Sequence, residues 1–221
     1  MRVFLLHGMA RTAASMAVLA HRLKKTGHRP SLFGYQVLLH PLGGIAERLR
    51  DRVCRVLAED LAREGGPVPY AIVGHSLGGV VARMAGPELP PGLCRLVLLA
   101  SPARPPATAL ALEGNRLFRR LTRDAGERLR DPAFFAALPR PEVPTLVVAG
   151  TRGPSSLHLP FAGHPNDGVL RVSETALEGV ERLEVHGVHT FLMNRRDVFE
   201  AIREFLDGPK EPPPRSFASS G

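Results

Sequence analysis

The chain has 221 residues, 44% of them hydrophobic, with 29 Lys and Arg against 21 Asp and Glu and a net charge of +8. That length suits one sizeable domain with a real core, and no apolar run approaches the ~18 residues that cross a bilayer. The basic excess comes without a nucleic-acid motif, so it reads as an arginine-rich solvated exterior, with contact to an anionic membrane surface as a secondary expectation and nucleic acid excluded as a partner. The start, Met1–Gly8, has an apolar core of only four residues before His7-Gly8, whereas a signal peptide needs roughly 7–15. The expected location is therefore the cytoplasm. Cys54 and Cys94 stand far apart in apolar periodic segments and read as buried free thiols. No clustered Cys/His set calls for a metal, and no G-x-G-x-x-G follows the first strand, so no cofactor is expected.

Taken in order, Arg2–His7 is a short apolar strand. Thr12 is placed to cap a helix whose Met16, Leu19 and Leu23 share one face, with Gly27 as the stop. His28–Gln36 is a more polar strand suited to a sheet edge. Ile45, Leu49, Val53, Leu57 and Leu61 recur every four residues in a helix closed by Gly65-Gly66. Tyr70–Val73 is a strand, Leu77–Ala85 a helix with Val80, Val81 and Met84 inward, and Leu93–Leu99 and Thr145–Ala149 are strands. Arg182–His186 is a sixth strand, and Val198, Ile202 and Leu206 mark a last helix ending at Gly208. Alternating strands and helices predict an α/β fold, a doubly wound, mostly parallel sheet of about six strands. Ligands of such sheets bind beyond the carboxyl ends of the strands, which here are the loops after His7, Val73, Ala100, Gly150 and His186.

Two stretches break the rhythm. Ser101–Val143 exceeds one crossover and holds a predicted helix from Thr108 to about Arg123. A second begins at Asp131-Pro132, a cap followed by proline at the first helical position. Leu110, Leu117 and Leu121 share one face of the first, and Phe134, Phe135 and Leu138 crowd the second. Together they are expected to form a small cap, residues 101–143, whose apolar sides bind an acyl chain. The Pro/Ser-rich stretch Pro209–Gly221 reads as a disordered tail beyond a single domain of residues 1–208.

Between the third strand and its helix runs Gly74-His75-Ser76-Leu77-Gly78, the pattern G-x-S-x-G. A serine on a tight strand-to-helix turn is pushed clear of the sheet, and side chains two positions away on either side would collide, so glycine stands there. The N-terminus of the following helix favours negative charge developing at the serine. A serine hydroxyl is a poor nucleophile at neutral pH and needs a base. Its oxyanion needs two backbone donors, of which the residue after the nucleophile, Leu77, supplies one.

Together with Leu5-Leu6-His7-Gly8-Met9, Asn166-Asp167-Gly168-Val169 and His189-Thr190-Phe191, this elbow resembles the α/β-hydrolase fold family, in particular small bacterial esterases and lipases with a GHSLGG elbow. The likeness runs from Arg2 to about Gly208. One departure is plain: the family usually has two strands before the one ending in His-Gly. This chain begins on that strand, as a reduced version would, or one whose start lies further upstream. The family's order of nucleophile, acid and histidine implies His189 as base, ahead of His186, because His189 lies beyond Gly187 in the loop past the last strand. His7 and His75 sit inside the two motifs, with the His75 side chain expected to turn away from the reaction centre. His21 and His28 lie on or near the first helix, and His40, His158 and His164 come too early. The same order implies Asp167 as acid, with Glu174 and Glu178 as rivals, and Met9 as the second oxyanion donor. The resemblance thus implies a carboxylic ester hydrolase acting on a small-molecule or lipid ester. Acyl transfer, thioester or amide hydrolysis would use the same triad, and a non-catalytic binding protein would use the same fold.

Overall fold

A computed structural model describes residues 1–155 and 160–208. The expected tail Pro209–Gly221 and the loop histidine His158 lie outside the described residues. Six strands form one sheet: β1 (Arg2–Leu6), β2 (Arg29–Phe33), β3 (Tyr70–His75), β4 (Leu93–Leu99), β5 (Thr145–Gly150) and β6 (Arg182–Val185). Their order is β2-β1-β3-β4-β5-β6, and every neighbouring pair is parallel. The connecting helices are α1 (Ala17–Lys25), α2 (Leu42–Glu64), α3 (Leu77–Ala85), α4 (Ala107–Ala111), α5 (Arg116–Arg128), α6 (Pro132–Ala137) and α7 (Arg196–Asp207). None of the described helices is long and apolar enough to cross a membrane.

The four inner strands, β1, β3, β4 and β5, are largely apolar because they feed two cores. Side chains alternate across a strand, so Phe4, Leu6, Ile72, Leu96 and Leu98 pack with α2 and α3. Val3, Leu5, Val73, Val97 and Leu99 pack with α1 and α7 on the other side. Coverage on both faces is what continuous apolar strands demand. The more polar β2 pairs only with β1 and is one edge, with β6 the other. The chain moves from β1 out to β2, then crosses back to β3 on the other side of β1. The strand order therefore reverses between β1 and β3, and a crevice opens at their carboxyl ends.

Four sequence expectations change. In α2, Ile45, Leu49 and Val53 are fully buried, but Leu61 is 49% exposed. A spacing of four residues overshoots a 3.6-residue turn by about 40° each time, so Leu61 has rotated to the far side while Val56 and Asp60 turn inward. Cys54, one residue beyond Val53, is exposed and Cys94 is half-buried, so neither is a core residue. The single helix expected from Thr108 is two, α4 and α5, because the chain turns at Gly114 and restarts with the Asn115 side chain accepting from the Phe118 N–H at 2.9 Å. The segment between β4 and β5 thus holds α4, then α5, which kinks at Arg123 with φ +46°, and then α6. Leu110, Leu117 and Leu121 are 47%, 65% and 49% exposed, so they are not the covered face the sequence implied. Asp131 does cap α6, accepting from the Ala133 N–H at 2.8 Å.

Candidate active site

Ser76 stands between β3 and α3 with φ +53° and ψ −123°, a region that non-glycine residues rarely occupy. Close packing of this turn leaves no room for side chains at its flanks. A Cβ at Gly74 would lie 2.5 Å from the Gly79 nitrogen, and one at Gly78 would lie 2.6 Å from the His7 carbonyl oxygen. The second contact joins the elbow to the loop after β1. Gly8 faces Ser76, since a Cβ there would meet Ser76 Cβ at 3.0 Å. Met9 follows at once and is half-buried, and Leu77 is buried as the first residue of α3.

The loop after β1 is held from β2. His7 is buried and its ring stacks on Tyr35 at 4.2 Å. Burial pushes the His7 imidazole below its usual range, so the ring is neutral. The Tyr35 N–H donates to His7 Nε2 at 3.2 Å, which leaves Nδ1–H to donate to the Gly8 carbonyl at 2.8 Å. The Tyr35 hydroxyl donates to the His7 carbonyl at 2.5 Å. A cavity of about 360 Å³ adjoins this loop, lined in part by His7, Tyr35, Leu39 and His40.

Beyond β5 and β6, two loops bring the remaining residues together. His189 Nδ1 and Asp167 Oδ2 are 2.7 Å apart, and the His189 N–H donates to the Asp167 carbonyl at 2.9 Å. Asp167 is 2% exposed, and its other oxygen accepts from the Val169 and Leu170 N–H groups at 2.9 and 2.7 Å. Asn166 braces the turn, donating to the Pro154 and His164 carbonyls and accepting from the Gly168 N–H. The rival acids are engaged elsewhere. Glu174 is buried, which raises its carboxyl, and accepts from the Ala107 and Arg171 N–H groups at 2.8 and 2.9 Å. Glu178 is exposed and pairs with Arg140. His186 is exposed on the strand end.

His75 does not turn away. Its buried ring lies 4.9 Å from that of His189, and Nε2 is 3.0 Å from the His189 carbonyl. Burial, with His189 as a lesser cause, holds it well below the usual range, so a neutral ring donates from Nε2 and leaves Nδ1 without a partner. Arg11 ties the two loops from the other side, donating to the Thr190 carbonyl at 3.0 Å with its guanidinium 5.8 Å from the Phe191 ring centre. Tyr35, His75 and Arg11 are positioning residues that motif reading passes over. No sequence signal marks Tyr35; its place beside Gly8 follows from the β1–β2 register, in which Leu6 pairs with Phe33.

Phe134, Phe135 and Leu138 are 8%, 6% and 7% exposed and belong to the core on the α2–α3 side of the sheet. Arg83 of α3 holds that segment, donating to the Leu138 and Pro139 carbonyls, both at 3.2 Å.

A family model described as the alpha/beta hydrolase family matches residues 3–213. No curated protein matches the chain. Among solved structures, the mature lipase BlEst2 of Bacillus licheniformis is similar at 16% identity over 93% of this chain and 91% of its own, with a TM-score of 0.69. An esterase, EaEST, from Exiguobacterium antarcticum is similar at 14% identity over 94% and 92%, with a TM-score of 0.67. The phospholipase PlaB of Legionella pneumophila, in complex with thio-NAD, is 18% identical over 80% of this chain and 44% of its own, with a TM-score of 0.63.

Proposed function

Because the chain belongs to the α/β-hydrolase family, we propose that it is a serine hydrolase cleaving carboxylic esters through an acyl-enzyme. The reading draws most on one observation: the buried carboxylate of Asp167 lies 2.7 Å from His189 Nδ1, and His189 packs against His75, the residue before a serine held in a strained elbow. In this mechanism Ser76 Oγ attacks the ester carbonyl and His189 Nε2 takes the serine proton. The tetrahedral oxyanion accepts from the Met9 and Leu77 N–H groups. The C–O bond then breaks, and the histidine returns its proton to the departing alcohol. Water, deprotonated by His189, attacks the acyl group and frees the acid and Ser76. Asp167 orients the imidazole and stabilises its charged form.

The esterase and lipases among the similar structures favour ester substrates. The cavity of about 360 Å³ beside the loop after β1 is of a size for one arm of a small or lipid ester. Phe134, Phe135 and Leu138 lie in the core and act on the site only by supporting the segment between β4 and β5, not by lining an acyl groove. A fluorophosphonate probe tests the reading. It is expected to label Ser76 and to leave Ser76→Ala unlabelled, with ester turnover falling on the order of a millionfold. Equal turnover by pure wild type and Ser76→Ala would overturn the mechanism.

A further inference from the structure

Twelve large apolar side chains are exposed among the described residues, and they are unevenly placed. Leu38 and Leu39 follow the carboxyl end of β2, while Val169 and Phe191 lie two residues beyond Asp167 and His189. Leu110, Leu112, Leu117 and Leu121 belong to α4, α5 and the turn between them. Eight of the twelve thus leave the sheet edge that carries Ser76.

The α4–α5 arm is fixed at both ends. Ala107 and Thr108 bond to Glu174 and to the Val169 carbonyl at 2.8 and 2.9 Å, next to Asp167. Asp124 accepts from the Leu42 N–H at the start of α2 at 2.7 Å. Between these anchors, every residue from 110 to 121 is exposed except the half-buried Phe118. Internal packing therefore gives these four leucines nothing to cover.

Beside them is a cationic face. Arg116, Arg119 and Arg120 follow the i, i+3, i+4 spacing of one helix face, and Arg123 joins them at a kink in α5, where its φ is +46°. All four are exposed, and among the described residues none forms an ion pair. They share a shallow concavity with Glu127 and Asp124, of which Asp124 is engaged by Leu42 and Arg128.

We propose that this face docks on an anionic lipid surface, with the α5 arginines among headgroups and the arm's leucines beneath them. Two facts select a membrane. A nucleic acid or an acidic protein surface would satisfy the arginines and leave the leucines in water, whereas a lipid interface takes both. The chain's net charge of +8 adds long-range attraction to the same surface. Docking in this orientation turns the edge bearing Ser76 toward the bilayer and holds whichever bond Ser76 cleaves.

The test is co-sedimentation of the full chain with phosphatidylcholine vesicles and with vesicles containing about 30% phosphatidylglycerol, at low and high salt. Binding is expected to the anionic vesicles, more than about tenfold tighter than to neutral ones, and to weaken with salt. Arg116→Gln/Arg119→Gln/Arg120→Gln should weaken it about a hundredfold, and Leu117→Ser/Leu121→Ser by about tenfold or more. All five side chains are exposed, so the thermal unfolding of both variants should match wild type. The proposal is overturned by no vesicle binding, by equal binding to neutral vesicles, by binding that neither variant weakens, or by tighter binding to duplex DNA.

Discussion

Two buried carboxylates sit in the chain between β5 and β6, and their hydrogen bonds give them different work. Asp167 turns one oxygen to His189 and the other to two backbone N–H groups. Glu174 spends both oxygens on the N–H groups of Ala107 and Arg171, joining this segment to the start of α4. Asp167→Asn should therefore cut kcat/KM roughly ten-thousandfold, less than loss of Ser76. Glu174→Gln sets an amide NH2 against a backbone donor, which should cost about 1–3 kcal/mol of stability and leave turnover near wild type. Ester kinetics and urea unfolding on both variants decide it, and a large kinetic loss confined to Glu174→Gln would reverse the assignment. Ser76, Asp167 and His189 could be nominated from sequence because motif and chain order carry them. Their supports could not, because Tyr35, His75 and Arg11 act on groups 28, 114 and 179 residues away.

At the scale of elements, legibility follows how local the determining forces are. All six strands could be read: the four inner ones because an apolar run buried on both faces needs no knowledge of its neighbours, and the more polar edge strands β2 and β6 from their place in the strand–helix alternation. The helix of four-residue spacing was found too, but its period misdirected Leu61. The segment between β4 and β5 was least legible, because its leucines obey a helical pattern without being buried. Within it, α6 behaves as a foundation. Phe134 packs edge-on against Phe135 at 5.5 Å, beneath the Arg128 guanidinium at 5.7 Å. Phe134→Ala should thus destabilise the protein by about 3–5 kcal/mol, as a large side chain lost from a core does. Urea unfolding measures this. A variant as stable as wild type but altered in acyl-chain preference would instead make Phe134 part of an open groove.

Across the whole molecule, a basic exterior surrounds buried groups that resist gaining protons, and this sets the response to pH. His7, His28 and His75 all lie below the usual imidazole range, each chiefly through burial. The unfolded chain therefore binds protons at these sites first as pH falls. Their stabilising share is complete above about pH 6.5 and is lost as pH drops from there toward the folded values. Asp60, fully buried where α2 meets β1, is held low mainly by its paired hydrogen bonds from Arg2, at 2.7 and 2.5 Å. Its share persists to lower pH and is lost only below about 4. Glu174 works in the opposite direction: its raised carboxyl favours the neutral form, so its share is lost as pH rises through the folded value. Three histidines outweigh one glutamate between neutrality and pH 5, and each proton gained adds to a chain already at +8. Urea unfolding across pH should thus show a plateau above about 7, a first decline below about 6.5 and a second below about 4. His75→Gln should shallow the first decline while leaving the second, because its own side chain no longer titrates. A profile level from pH 7 to 5 would mean that these histidines accept protons in the folded state as readily as in the unfolded one.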